Sequence, residues 1–273
     1  MTDQPRYGQR VEGAATPPAS PPAQPKRSQV RRGPSPIFLG LVALTIISGW
    51  ALWSGIGTPG IVTFIFVAAF WVVTLCLHEF AHALVAYRNG DESVLYRGYL
   101  TLDPLRYTHI LFSIVLPLIF LLLGGIGLPG GAVFIDRGAL RTRFSRSAVS
   151  AAGPLTNLAV AILLAIAIAL FSDERGFWAA VCFLLFLQVT AAVLNILPVP
   201  GLDGFGIVEP YLPAGVLAGA ARVAPFALLG LFVLLWIPAV NSAFFQAIFG
   251  LTNLLGVPPI QILRGIGLFQ FWR

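Results

Sequence analysis

From Ile61 to Tyr87 the chain runs in Val, Ile, Phe, Ala and Leu, and a single cluster breaks the pattern: His78-Glu79-Phe80-Ala81-His82. A stretch of that length crosses a bilayer as a helix. In lipid a lone segment has no other way to satisfy its backbone N–H and C=O groups. An ionisable group at membrane depth costs several kcal/mol, roughly 2.5–3.5 for Asp on insertion scales, so it persists with a partner or a task. One helical turn apart, His78 and His82 share a face and can share a metal ion, while Glu79 lies beside that face, within reach of a water. This is the H-E-x-x-H arrangement, in which two His bind zinc and the Glu is the general base. The competing reading is a pair of packed histidines with Glu79 bonded to an arginine. Against it, the chain has only 3 histidines and two of them form this pair.

A 57% hydrophobic, 10% charged composition excludes an ordinary soluble domain and implies a polytopic membrane protein. The net charge of +6 is carried almost wholly by arginine in tails and loops. Such charge speaks to topology and lipid headgroups, not to nucleic acid. Cys76 and Cys182 both lie in apolar runs and read as small hydrophobes rather than a disulfide. The expected fold is all-α, a transmembrane helix bundle of about six membrane segments.

Three regions are expected. Residues 1–36, rich in Pro, Gln and Ser and carrying Lys26, Arg27, Arg31 and Arg32, read as a disordered cytoplasmic tail. Residues 37–258 form the membrane domain. Residues 259–273, mixing Arg264 and Arg273 with Phe and Trp, read as an interfacial tail. Spans are expected near 37–56, 61–87, 147–171, 177–197 and 225–240, with 243–257 either crossing or lying against the bundle. A cytoplasmic N-terminus puts His78 about 15 Å inside the cytoplasmic end of its span, from the helix rise per residue. Alternation around Arg97–Pro104 predicts a short strand or hairpin. Arginines flank residues 110–135 on both sides, which predicts a re-entrant or hairpin segment there.

A catalytic zinc takes three protein ligands and keeps one position open. His109 and Asp203 compete for the third place. Asp203 follows a span that runs in the same direction as the His78 span, so the two reach similar depth. It also sits in the Pro- and Gly-broken segment Asn195–Gly204, where unwound backbone can line a polar cavity. Its alternative reading is a turn residue in an Asp-Gly pair. That of His109 is an interfacial imidazole.

With these motifs in order, the chain resembles the site-2 protease family of intramembrane zinc metalloproteases (peptidase family M50). The resemblance rests on His78-Glu79-x-x-His82, on Gly153-Pro154-x-x-Asn157, and on Asn195-x-x-Pro198-x-x-x-Leu202-Asp203-Gly204. Leu100-Thr101-Leu102-Asp103-Pro104 resembles a further segment, with Asp103 where compact bacterial members have Asn, and Gly201 stands where many have Pro. The resemblance implies one zinc per chain held by His78, His82 and Asp203. It implies Glu79 as general base and Asn195 as a hydrogen-bond partner of the substrate backbone or oxyanion. It implies a transmembrane protein substrate, cleaved within the lipid bilayer in regulated intramembrane proteolysis. Residues 89–108 leave no room for an inserted PDZ domain, and no CBS domain follows the last span. This matches the compact bacterial type, a multi-pass protein of the cytoplasmic membrane whose substrate is selected by membrane contacts, a separate adaptor or a homo-oligomer. Two rival functions stand beside it: a metal or ion transporter using the same His and Asp residues, and a catalytically silent membrane scaffold.

Overall fold

The computed structural model describes residues 33–107 and 133–272. His109, residues 1–32 of the expected tail and nearly all of the expected hairpin lie outside the described residues. Nine α-helices follow in chain order among the described residues: α1 (Pro36–Trp53), α2 (Pro59–Arg88), α3 (Ser93–Tyr96), α4 (Arg143–Phe171), α5 (Gly176–Ile196), α6 (Asp203–Val208), α7 (Ala214–Trp236), α8 (Pro238–Leu254) and α9 (Pro259–Phe269). No strand occurs among them. Five are long and apolar enough to cross a membrane, or six if α8 and α9, bent by 113° at their junction, make one broken span. The all-α membrane bundle is borne out.

Local sequence sets these boundaries. Ser35 caps α1, its Oγ accepting from Phe38 N at 3.1 Å, and Pro36 occupies the first turn where no donor is needed. Thr142 caps α4 in the same way, accepting from Ser145 N at 3.0 Å. At 30 residues, α2 is about 45 Å long against a hydrocarbon core of about 30 Å. It must tilt or protrude.

α5 is the axis. Its most apolar stretch is 89% buried, wrapped by α1, α2, α4, α8 and α9. The shared core includes Trp71, Trp178, Phe183, Phe186 and Ile248. α9 lies on it closely: Ile262 and Phe269 are fully buried, and a methyl group at Gly265 would collide with the carbonyl of Ala179. α7 is the opposite case, with only 6% of its apolar window covered.

Two expectations are corrected. The connection after α2 is not a strand; it forms α3 and the 3-10 turns Tyr99–Thr101 and Pro104–Arg106. Gly98 (φ 76) and Leu102 (φ 57) adopt left-handed backbone, which breaks an extended ladder. Asp103 accepts from Leu105 N at 3.1 Å, a local turn bond that competes with sheet pairing. The span expected from residue 225 begins at Ala214, because α7 runs through Pro225. Membrane helices tolerate such a proline. The next break falls at Ile237-Pro238, where Pro238 opens α8.

Candidate metal centre

His78 and His82 lie on one face of α2, both 5% exposed. Their Nε2 atoms are 3.1 Å apart. Asp203, the first residue of α6, brings Oδ2 to 3.3 Å from each of them. These three candidate ligand atoms come from two elements that the intervening chain folds together, and they lie close enough to share one metal ion.

The donor set can be tested against zinc. Two ligands bound at about 2.0–2.1 Å with tetrahedral angles lie about 3.3 Å apart. The observed triangle of 3.1, 3.3 and 3.3 Å fits. His82 Nδ1 donates to the carbonyl of Val149 on α4 at 2.7 Å, which fixes the tautomer and leaves Nε2 with its lone pair toward the triangle. His78 Nδ1 is buried without a partner among the described residues.

Space at the centre is kept by Gly153 of α4. A methyl group there would collide with Nε2 of both histidines. The next residue, Pro154, has no N–H to give, so the Ser150 carbonyl loses its helical partner beside the site. The Gly-Pro pair thus lets α4 approach the histidines closely.

Comparison with known proteins bears on this geometry. A protein of Mycobacterium tuberculosis, named "Putative zinc metalloprotease Rip2", is 46% identical over 255 residues, covering 90% of this chain and 96% of its own. Its namesake in Mycolicibacterium smegmatis is 44% identical over 255 residues, covering 91% and 97%. The chain belongs to the Rip2 zinc metalloprotease family. A Bacillus subtilis protein named "Putative zinc metalloprotease YwhC" is 29% identical over 186 residues, 63% of this chain and 80% of its own. No family model and no solved structure matches. Membership agrees with the site-2 protease resemblance of the motifs and makes the protein a protease, with a protein substrate, while the apolar helices make it a membrane protein.

Other residues bear on the family reading in different degrees. Glu79 is 2% exposed, lies within electrostatic reach of His78, His82 and Asp203, and accepts from Val133 N at 3.2 Å. Asn195 is buried on the last turn of α5 but makes no hydrogen bond to the triad. Asp103 pairs with Arg106 across 3.4 Å, a local contact in its turn.

Sequence reasoning missed the Val149 carbonyl, the Val133 amide and an ion pair between Arg137 and Glu209. The first two are backbone groups and leave no residue-type signal. The third had one: Arg137 and Glu209 are opposite charges on either side of the motif-bearing spans. Burial, then the neighbouring Arg146, pull the Arg137 guanidinium below its usual value, and Asp203 counters them.

Proposed function

We propose that this protein is an intramembrane zinc protease of the site-2 type, hydrolysing peptide bonds of transmembrane substrates. The observation that carries the reading is the ligand triangle of His78, His82 and Asp203, sized for zinc and built inside an apolar bundle. Zinc held by these side chains supplies Lewis acidity to the scissile carbonyl and to water. Glu79 takes a proton from the attacking water and delivers it to the amine nitrogen as the C–N bond breaks. The Val133 amide fixes one oxygen of that carboxylate. Gly153 keeps the space beside the histidines clear of side chains. Asn195 is proposed to bond the substrate backbone as the substrate helix locally unwinds.

We place the protein in the cytoplasmic membrane with its N-terminus inside, and substrate choice with membrane contacts, an adaptor or a second copy. Neither a transit site nor a silent scaffold gives a reason for a carboxylate beside His78, and the relatives' names favour hydrolysis.

The test is zinc content and cleavage of a transmembrane reporter by purified protein. Wild type should hold one zinc, and Glu79→Gln should keep it while cleavage drops about 10²–10⁴-fold. Wild-type rates in Glu79→Gln would remove the general base, and zinc-free wild type would remove the whole reading.

A further inference from the structure

The stretch from Val133 to Leu140 touches both halves of the centre. At its start Val133 N reaches Glu79 Oε2. Three residues on, Asp136 N donates to Asp91 Oδ2 at 2.8 Å, and the other Asp91 oxygen accepts from Ser93 N at 2.9 Å. Asp91 is 1% exposed, so this strap is pinned to the end of the helix that bears the histidines. Gly138 N closes a turn onto Asp136 Oδ1 at 2.9 Å. That turn aims Arg137 across the site, where its guanidinium pairs with Glu209, the residue directly after α6.

α6 needs such holding. It has 6 residues, Asp203 is its first, and no side chain caps it. A helix this short has no stability of its own. Besides the ion pair it is held by packing on α4 and on the end of α5, where a methyl group at Gly204 would collide with the Ile196 carbonyl. Ser147 Oγ of α4 donates to the Ile207 carbonyl at 2.6 Å. Gly206 packs so tightly that a methyl group would press on Ser150 Oγ and, at 3.1 Å, on Arg137 Nη2. One nitrogen of the guanidinium therefore grips Glu209 while another lies against the backbone of α6, a span that the planar fork of Arg can cover and a Lys ammonium cannot.

We propose that Arg137, through its ion pair with Glu209, is a positioning residue that holds the α6 carboxylate over the histidine pair of α2. It touches no ligand atom, and it acts by fixing the element that carries one. The proposal rests on the metal-centre reading above. Because Arg137 and Glu209 are 48% and 32% exposed, the pair adds little to global stability, so its loss leaves the fold intact and shows in zinc affinity.

The experiment is zinc competition against a chelator of known affinity, on full-length protein in detergent. Arg137→Met and Glu209→Gln should each weaken zinc about tenfold, the lower end of the range for groups supporting a ligand. Helicity and elution volume should stay unchanged. The double variant, Arg137→Met with Glu209→Gln, should weaken zinc no more than the more severe single variant, a non-additivity that two independent local roles would not give. Wild-type affinity in both single variants, or a double variant as weak as the two losses combined, overturns the proposal. Zinc-free wild type would overturn it together with the metal centre. Zinc-loaded wild type with unaffected variants would overturn the strap alone.

Discussion

The histidine side and the aspartate side of the centre are built differently. His78 and His82 stand mid-way along a 30-residue helix, with side chains 7% exposed, and α4 presses Val149 and Gly153 against them. Asp203 is 22% exposed and opens a 6-residue helix after a segment broken by Pro198, Pro200 and Gly201 (φ 99). Two of the candidate ligands belong to the packed body of the bundle and the third to a short docked piece. The pair is set within one long helix, while the triangle is completed by a short element held from outside, by α4, the end of α5 and the Arg137–Glu209 pair.

The comparison can be broken most severely on its rigid side. His82→Ala should remove zinc and lower cleavage by more than about 100-fold, beyond the loss typical of a supporting group, as read by metal content and reporter cleavage. Chelation comes next. Zinc at about a hundred times its dissociation constant should stabilise the protein by about 2.7 kcal/mol, so the melting temperature should fall with chelator. Hydrogen exchange sharpens the contrast, with protection expected to drop across residues 203–208 and to hold across 76–84. Equal loss in both would mean the two sides form one cooperative unit.

Gly153→Ala should cost about 1–3 kcal/mol by overpacking and weaken zinc, since the added methyl meets both ring nitrogens. Gly230→Ala is its control: nothing lies within 4 Å of that position in α7, so thermal melting should show no loss, or a gain of about 0.5–1 kcal/mol. Ser147→Ala removes a single bond to α6 and should cost about 1 kcal/mol, measured by chemical unfolding.

The sequence made the rigid side readable because it writes itself in one helix. Spacing of one turn put His78 and His82 on a common face, and apolar surroundings made their presence costly without a role. Asp203 was readable by depth and by its broken segment, although more than a hundred residues separate it from His82. Its anchors were not, because the Ser147–Ile207 bond and the Arg137–Glu209 pair depend on which helices dock. Backbone donors and acceptors such as Val133 and Val149 are common to every residue type and carry no mark. The strand expected near residues 97–104 failed because alternation was weighed without the left-handed positions Gly98 and Leu102. The start of α7 failed because Pro225 reads as a boundary in water and is tolerated inside a membrane helix.

The bond from His82 to the Val149 carbonyl carries a consequence for biosynthesis. The imidazole takes its fixed tautomer from the backbone of another helix, and the third ligand arrives later still in the chain. With only α1 and α2 made, His82 lacks the carbonyl that sets its tautomer, the histidines lack the Asp203 carboxylate, and the candidate centre is incomplete. α4 supplies the carbonyl that sets the nitrogen, and α6 supplies the third corner of the triangle. On the proposed zinc reading, hydrolytic capacity therefore needs the chain past residue 203, and the first two spans alone lack the means to cut their neighbours.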